Sequence, residues 1–178
     1  GIMMKERENR TYLRIASSPV SAKAYVQSNL IVCFAVLLMQ IAVTVAFMTG
    51  ALGIDPGVGF GTLFLLLALF ALAAVSLSTV IVAFSDSSMT VAGIQNLIIL
   101  PSSILAGCMF PVTAMPEAMQ RIAALMPQYW VLQTLGELQE GAPLASLSVN
   151  LLLLLAFAAA FSLIAAYRFG RNNDTTSY

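Results

Sequence analysis

Hydrophobic positions fall into four long, nearly unbroken runs rather than the mixed stripes of a water-soluble fold: Asn29 to Met48, Phe60 to Phe84, Val91 to Phe110 and Leu144 to Tyr167. None of the four contains Asp, Glu, Lys or Arg. A bilayer core about 30 Å thick needs roughly 20 apolar residues at 1.5 Å each, so each run is long enough to cross as one helix. The fold class this predicts is all-α: a polytopic membrane bundle of four transmembrane helices.

The polar stretches between the runs have patterns of their own. Lys5 to Ala16 reads as a short amphipathic helix, with Arg7, Arg10 and Arg14 on one stripe and Tyr12, Ile15 and Ala16 on another face. Glu6 precedes Arg10 by one helical turn, a favourable pairing on an exposed face. Ser18-Pro19 then breaks the chain and starts a new helix that runs into the first span. On the other side of the bundle, Met115-Pro116-Glu117 looks like a helix start, and Ala118, Met119, Ile122, Ala123 and Met126 give that helix one apolar face. Pro127 is read as its stop, and Gly136 to Gly141 as a polar exit. Too short to cross, this segment is predicted to be an outer re-entrant or interfacial helix, with Tyr129 and Trp130 at headgroup depth. Pro101 predicts a kink inside the third span. Gly57 and Gly61 have the spacing of a close helix contact, and equally of a flexible loop.

Composition agrees with the pattern: 60% of the residues are hydrophobic and 9% charged. Formal net charge is zero, so distribution decides the orientation. Five of the eight Lys and Arg residues precede the first span, Arg168 and Arg171 follow the last, and the connection from Pro111 to Pro143 has Arg121 against Glu117, Glu137 and Glu140. Both termini of this multi-pass segment are therefore expected to be cytoplasmic; the membrane itself is expected to be a bacterial or archaeal plasma membrane. Residues 1–169 read as one transmembrane domain and 170–178 as a polar, disordered cytoplasmic tail. Cys33 and Cys108 sit near opposite faces of the bilayer and read as small apolar residues rather than a disulfide.

Catalytic chemistry has little to stand on. The chain has no histidine, no phosphate-binding glycine loop, no metal-ligand cysteine pair and no carboxylate inside a span. No catalytic or metal residue is assigned, and nothing in the composition suggests nucleic acid as a partner. With only amides and hydroxyls deep in the spans, energy for any uphill transport must arrive from outside the bilayer, through the charged segment at Lys5 to Ala16.

Two stretches carry a family resemblance. Glu6-Arg7-Glu8-Asn9-Arg10-Thr11-Tyr12-Leu13-Arg14, followed by Ser18-Pro19-Val20-Ser21, resembles the cytoplasmic coupling-helix signature of the type-2 ABC exporter permeases. Gly107, Phe110, Pro111, Met115-Pro116, Gln120, Ile122-Ala123, Pro127 and Trp130 resemble that family's outer segment before its last span. Family members have six spans, so this sequence resembles the carboxy-terminal four, and Arg10 stands where the family often has glycine.

The resemblance implies a transport subunit rather than an enzyme. Glu6, Arg7, Glu8, Arg10, Tyr12 and Arg14 would dock into a separate ABC ATPase subunit that binds the ATP and Mg. A second permease chain, identical or related, would complete the pathway. Phe34, Gln40, Thr44, Gln95 and Asn96 are the candidate pathway residues for a hydrophobic or amphipathic cargo such as a drug, antibiotic or lipid-like molecule. The reading from another class is a structural or assembly protein of four spans whose basic helix binds anionic membrane lipid.

Overall fold

A computed structural model describes residues 22–85, 87–143 and 147–174. The expected coupling helix at Lys5 to Ala16, with Glu6, Arg7, Glu8, Arg10, Tyr12 and Arg14, lies outside the described residues. All regular structure among the described residues is helical: α1 (Ala22–Gly50), α2 (Phe60–Ala83), α3 (Ser88–Leu105), α4 (Glu117–Ala123), α5 (Pro127–Gln139) and α6 (Ser148–Asp174), with a 3-10 turn at Val112–Ala114. Among the described residues, four helices are long and apolar enough to cross a membrane: Leu30–Gly50 within α1, Phe60–Ala83, Ser88–Leu105 and Ser148–Arg168 within α6.

The second span is the hub, in contact with each of α1, α3, α5 and α6 and most extensively with α6. Of its apolar window 44% is buried inside the bundle, against 6% for α1 and 11% for α3. The outer faces of α1 and α3 are thus free to meet lipid or another chain.

Small residues and self-satisfied hydroxyls allow α2 this central place. Ala71, Ala73, Ser76 and Thr79 are all buried, so neighbouring helices approach closely. Thr79 Oγ1 donates to Val75 O at 2.8 Å, and Ser85 Oγ to Ile81 O at 2.7 Å. Ser76 Oγ donates to Leu72 O at 2.8 Å, which leaves it to accept from Ser162 Oγ of α6 at 2.9 Å. A hydroxyl that answers a carbonyl of its own preceding turn can be buried without an unpaired donor.

At the end of the bundle holding the α2–α3 turn, Ile81 and Val82 pack on Val91, backed by Leu77 and Ile94. Ser87 caps α3 by accepting from Thr90 N at 3.2 Å. On the same end the Arg168 guanidinium lies 5.1 Å from the centre of the Phe84 ring, joining α6 to the exit of α2.

Three sequence expectations change. First, α3 spans Ser88–Leu105 rather than Val91 to Phe110. Gly107, at φ +100°, turns the chain out of the helix, with Gly107 N bonded to Ile104 O and Cys108 N to Ser103 O. Pro101, where a kink is expected, lies inside this continuous helix. Second, α6 continues to Asp174, five residues into the stretch expected to be a disordered tail. Extending an existing helix adds a hydrogen bond for each residue fixed, so polar Arg171-Asn172-Asn173 does not end it.

Third, Pro127 starts a helix as well as ending one. Met126 is extended at φ −106°, ψ 134°, and Pro127 occupies the first helical position of α5, where its missing N–H costs nothing. The polar exit read at Gly136 belongs to that helix, and the turn comes at Gly141, φ +91°. Gly57 and Gly61 do not form a helix contact pair. Gly57 is in the α1–α2 loop at φ +68°, its N–H held by Asp55 Oδ1 at 2.9 Å, and open space surrounds the Cβ position of Gly61.

Candidate functional site: the span faces and the α5 insertion

The sequence-predicted pathway residues divide between two helices. On α1, Phe34 is half-buried, while Gln40 and Thr44 are exposed one turn apart on a common face, with Gln40 near the middle of the Leu30–Gly50 span. On α3, Gln95 and Asn96 are adjacent but do different things. Gln95 Nε2 donates to Ser78 Oγ at 2.9 Å, so this amide ties α3 to α2. Asn96 is exposed. No hydrogen bond joins the α1 set to the α3 set among the described residues.

Exposed amides inside an apolar span matter because an amide without a partner in hydrocarbon costs several kcal/mol. Gln40 and Asn96 therefore belong on surfaces that meet something polar: a water-filled path, a cargo or another chain. Their helical neighbours Met39, Val43 and Phe47 on α1, and Leu97 and Leu100 on α3, are large, exposed and apolar. Each face offers an apolar wall with an amide set in it.

Sequence reasoning missed the placement of α5. Its Val131 is buried with Leu66 of α2 and Leu154 of α6, flanked by Trp130, Leu135 and Leu138. Leu66 and Leu154 each lie six residues inside their helices, about 9 Å at 1.5 Å per residue. The amino-terminal end of α5 is inserted into the bundle, where Gln128 Nε2 donates to Ser102 Oγ of α3 at 3.1 Å. Its other end meets the α1–α2 loop, where Gln139 Nε2 donates to Pro56 O at 3.0 Å. Trp130 Nε1 donates to Ala124 O at 2.9 Å and closes the turn between α4 and α5.

The remaining face of α5 borders a cavity of about 480 Å³. Tyr129, Leu132, Gln133, Gly136, Glu137 and Glu140 line it at helical spacing. Gln120 and the Gly107–Val112 turn form the opposite wall. No group of three or more potential metal ligands occurs among the described residues.

A family model described as "ABC-2 family transporter protein" matches residues 1–167. The chain belongs to the ABC-2 transporter family. Membership makes it a membrane component of a transporter and not itself a catalyst, and implies assembly with an ABC ATPase in general. It accords with the four apolar helices of an integral, multi-pass membrane protein. The match includes both stretches that carry the resemblance, Glu6 to Ser21 and Gly107 to Trp130. Neither a search of curated proteins nor one of solved structures returned a match.

Proposed function

We propose that this ABC-2 protein is the permease subunit of an ATP-driven exporter of hydrophobic or amphipathic molecules. Glu6, Arg7, Glu8, Arg10, Tyr12 and Arg14 form the contact with the ATPase subunit, which holds ATP and Mg. A charged amphipathic helix suits that task, because ion pairs fix its register and a rigid rod transmits a push. Cargo passes along faces that α1 and α3 present to a second permease chain, with Gln40, Thr44 and Asn96 as polar contacts in an apolar lining. Gln95, bound to Ser78, holds α3 in place instead. The α4–α5 segment acts as the outer re-entrant element, a role supported by the depth at which Val131 packs.

The observation carrying this reading is the pair of exposed amides within spans of a family transporter protein. The test is ATP-dependent accumulation of amphipathic dyes by inside-out proteoliposomes holding the permease and an ABC ATPase. Uptake should require ATP and fall to background in Glu6→Ala/Arg10→Ala with both proteins still present. Uptake driven by a proton or sodium gradient without ATP would refute it.

A further inference from the structure

The cavity beside α5 combines features that select a particular ligand chemistry. Its volume of about 480 Å³ lies in the range of small-molecule sites. Ala106, Pro111, Val112 and Leu132 supply apolar walls and Tyr129 an aromatic one. Every charged residue in the lining is acidic: Glu137, half-buried, and Glu140, exposed. Neither has a basic partner among the described residues, and Arg121 pairs instead with Glu117 at 3.8 Å, outside the lining.

Glu137 is also held in place. Gln133, one turn earlier, donates its Nε2 to Glu137 Oε1 at 3.0 Å. That bond fixes the orientation of the Gln133 amide, because the reverse would set its carbonyl oxygen against the carboxylate. Gln133 Oε1 is left buried with no donor. The acceptors here thus outnumber the donors, next to apolar and aromatic surface.

We propose that this cavity binds an organic ammonium carrying an apolar group, the ammonium resting between Glu137 and Glu140 and the apolar body against Leu132, Val112 and Tyr129. The natural ammonium is either a solute or an amine-bearing lipid headgroup. The site is formed within one chain and does not depend on the transport cycle or the ATPase.

The chain has one tryptophan, Trp130, whose ring stands edge-on to that of Tyr129 at 5.2 Å, so its fluorescence reports on the cavity wall. The full chain in lipid nanodiscs is titrated with benzyltrimethylammonium, and with its uncharged isostere neopentylbenzene. A saturable change is expected with the cation alone. Glu137→Gln/Glu140→Gln should raise the half-saturating concentration by about tenfold or more. Glu117→Gln, outside the cavity, should not move it. Gly136→Leu should abolish the response by filling the space, since nothing lies within 4 Å of a Cβ at that position. Discs of phosphatidylglycerol alone are compared with discs that also contain phosphatidylethanolamine. Weaker cation binding in the second marks a lipid amine as natural occupant, and equal binding a solute. An equal response to neopentylbenzene, or a half-saturation unmoved by the glutamate substitutions, would overturn the proposal.

Discussion

Gln95 and Asn96 are the same kind of side chain on consecutive residues, yet they point to separate outcomes. Gln95 spends its amide on Ser78, a bond between helices worth about 1 kcal/mol. Asn96, about 100° further round the helix, faces outward. Gln95→Leu is expected to lower the thermal midpoint in detergent and leave ATP-driven dye uptake largely intact. Asn96→Leu should leave the midpoint in place and reduce uptake severalfold. Equal loss of uptake in both would mean the two amides share one role. Gly107 turns the chain out of α3. A Cβ there would sit 2.7 Å from Val112 Cγ2, on a backbone at φ +100°. Gly107→Ala should destabilise by about 1–3 kcal/mol, and adding Val112→Ala should relieve the clash but not the backbone strain, as read by thermal unfolding.

Among the elements, the spans were legible in the sequence and α5 was not, for a physical reason. A span announces itself by length: Phe60 to Ala83 is 24 residues without a charged side chain, and one solvent explains the whole run. The α5 helix is 13 residues long, carries Gln128, Gln133, Thr134 and Glu137, and begins at a proline that equally well ends α4. What holds it is Val131 against Leu66 and Leu154, residues 65 and 23 positions away, a relation that no local pattern records. Thr134 is fully buried because its hydroxyl donates to Trp130 O at 2.6 Å, so a polar letter in the sequence behaves as a core residue. The cavity was equally hidden, since Tyr129, Gln133 and Glu137 become one wall only once that stretch is helical. Of the predicted pathway residues, helical spacing placed Gln40 and Thr44 together, whereas the diversion of Gln95 required the position of Ser78. Leu154→Ala, which empties the centre of the α5 contact, should cost about 2–5 kcal/mol in thermal unfolding. A comparable loss is not expected at exposed Leu163.

At the scale of the whole molecule, the bundle has one well-packed hub and two helices whose outer faces are left open. The α2–α6 contact, with its Ser76–Ser162 bond and the Arg168–Phe84 contact, is the most extensive between helices in the bundle. On either side, α1 and α3 keep their large apolar residues and their two amides on the outside. These faces are free to meet lipid or another chain. In the proposed mechanism, force from the ATPase enters through the segment ahead of α1 and tilts α1 relative to the hub.

That mechanism requires Arg7 and Arg14 to be on the cytosolic side. Single cysteines placed at Arg7 or Arg14, in a background with Cys33 and Cys108 replaced by serine, can be exposed to a membrane-impermeant maleimide in intact cells and in inside-out vesicles. Labelling of both positions is expected in the inside-out vesicles and none in intact cells. Labelling of either position in intact cells would rule the mechanism out, because the segment would then have no access to the subunit that hydrolyses ATP.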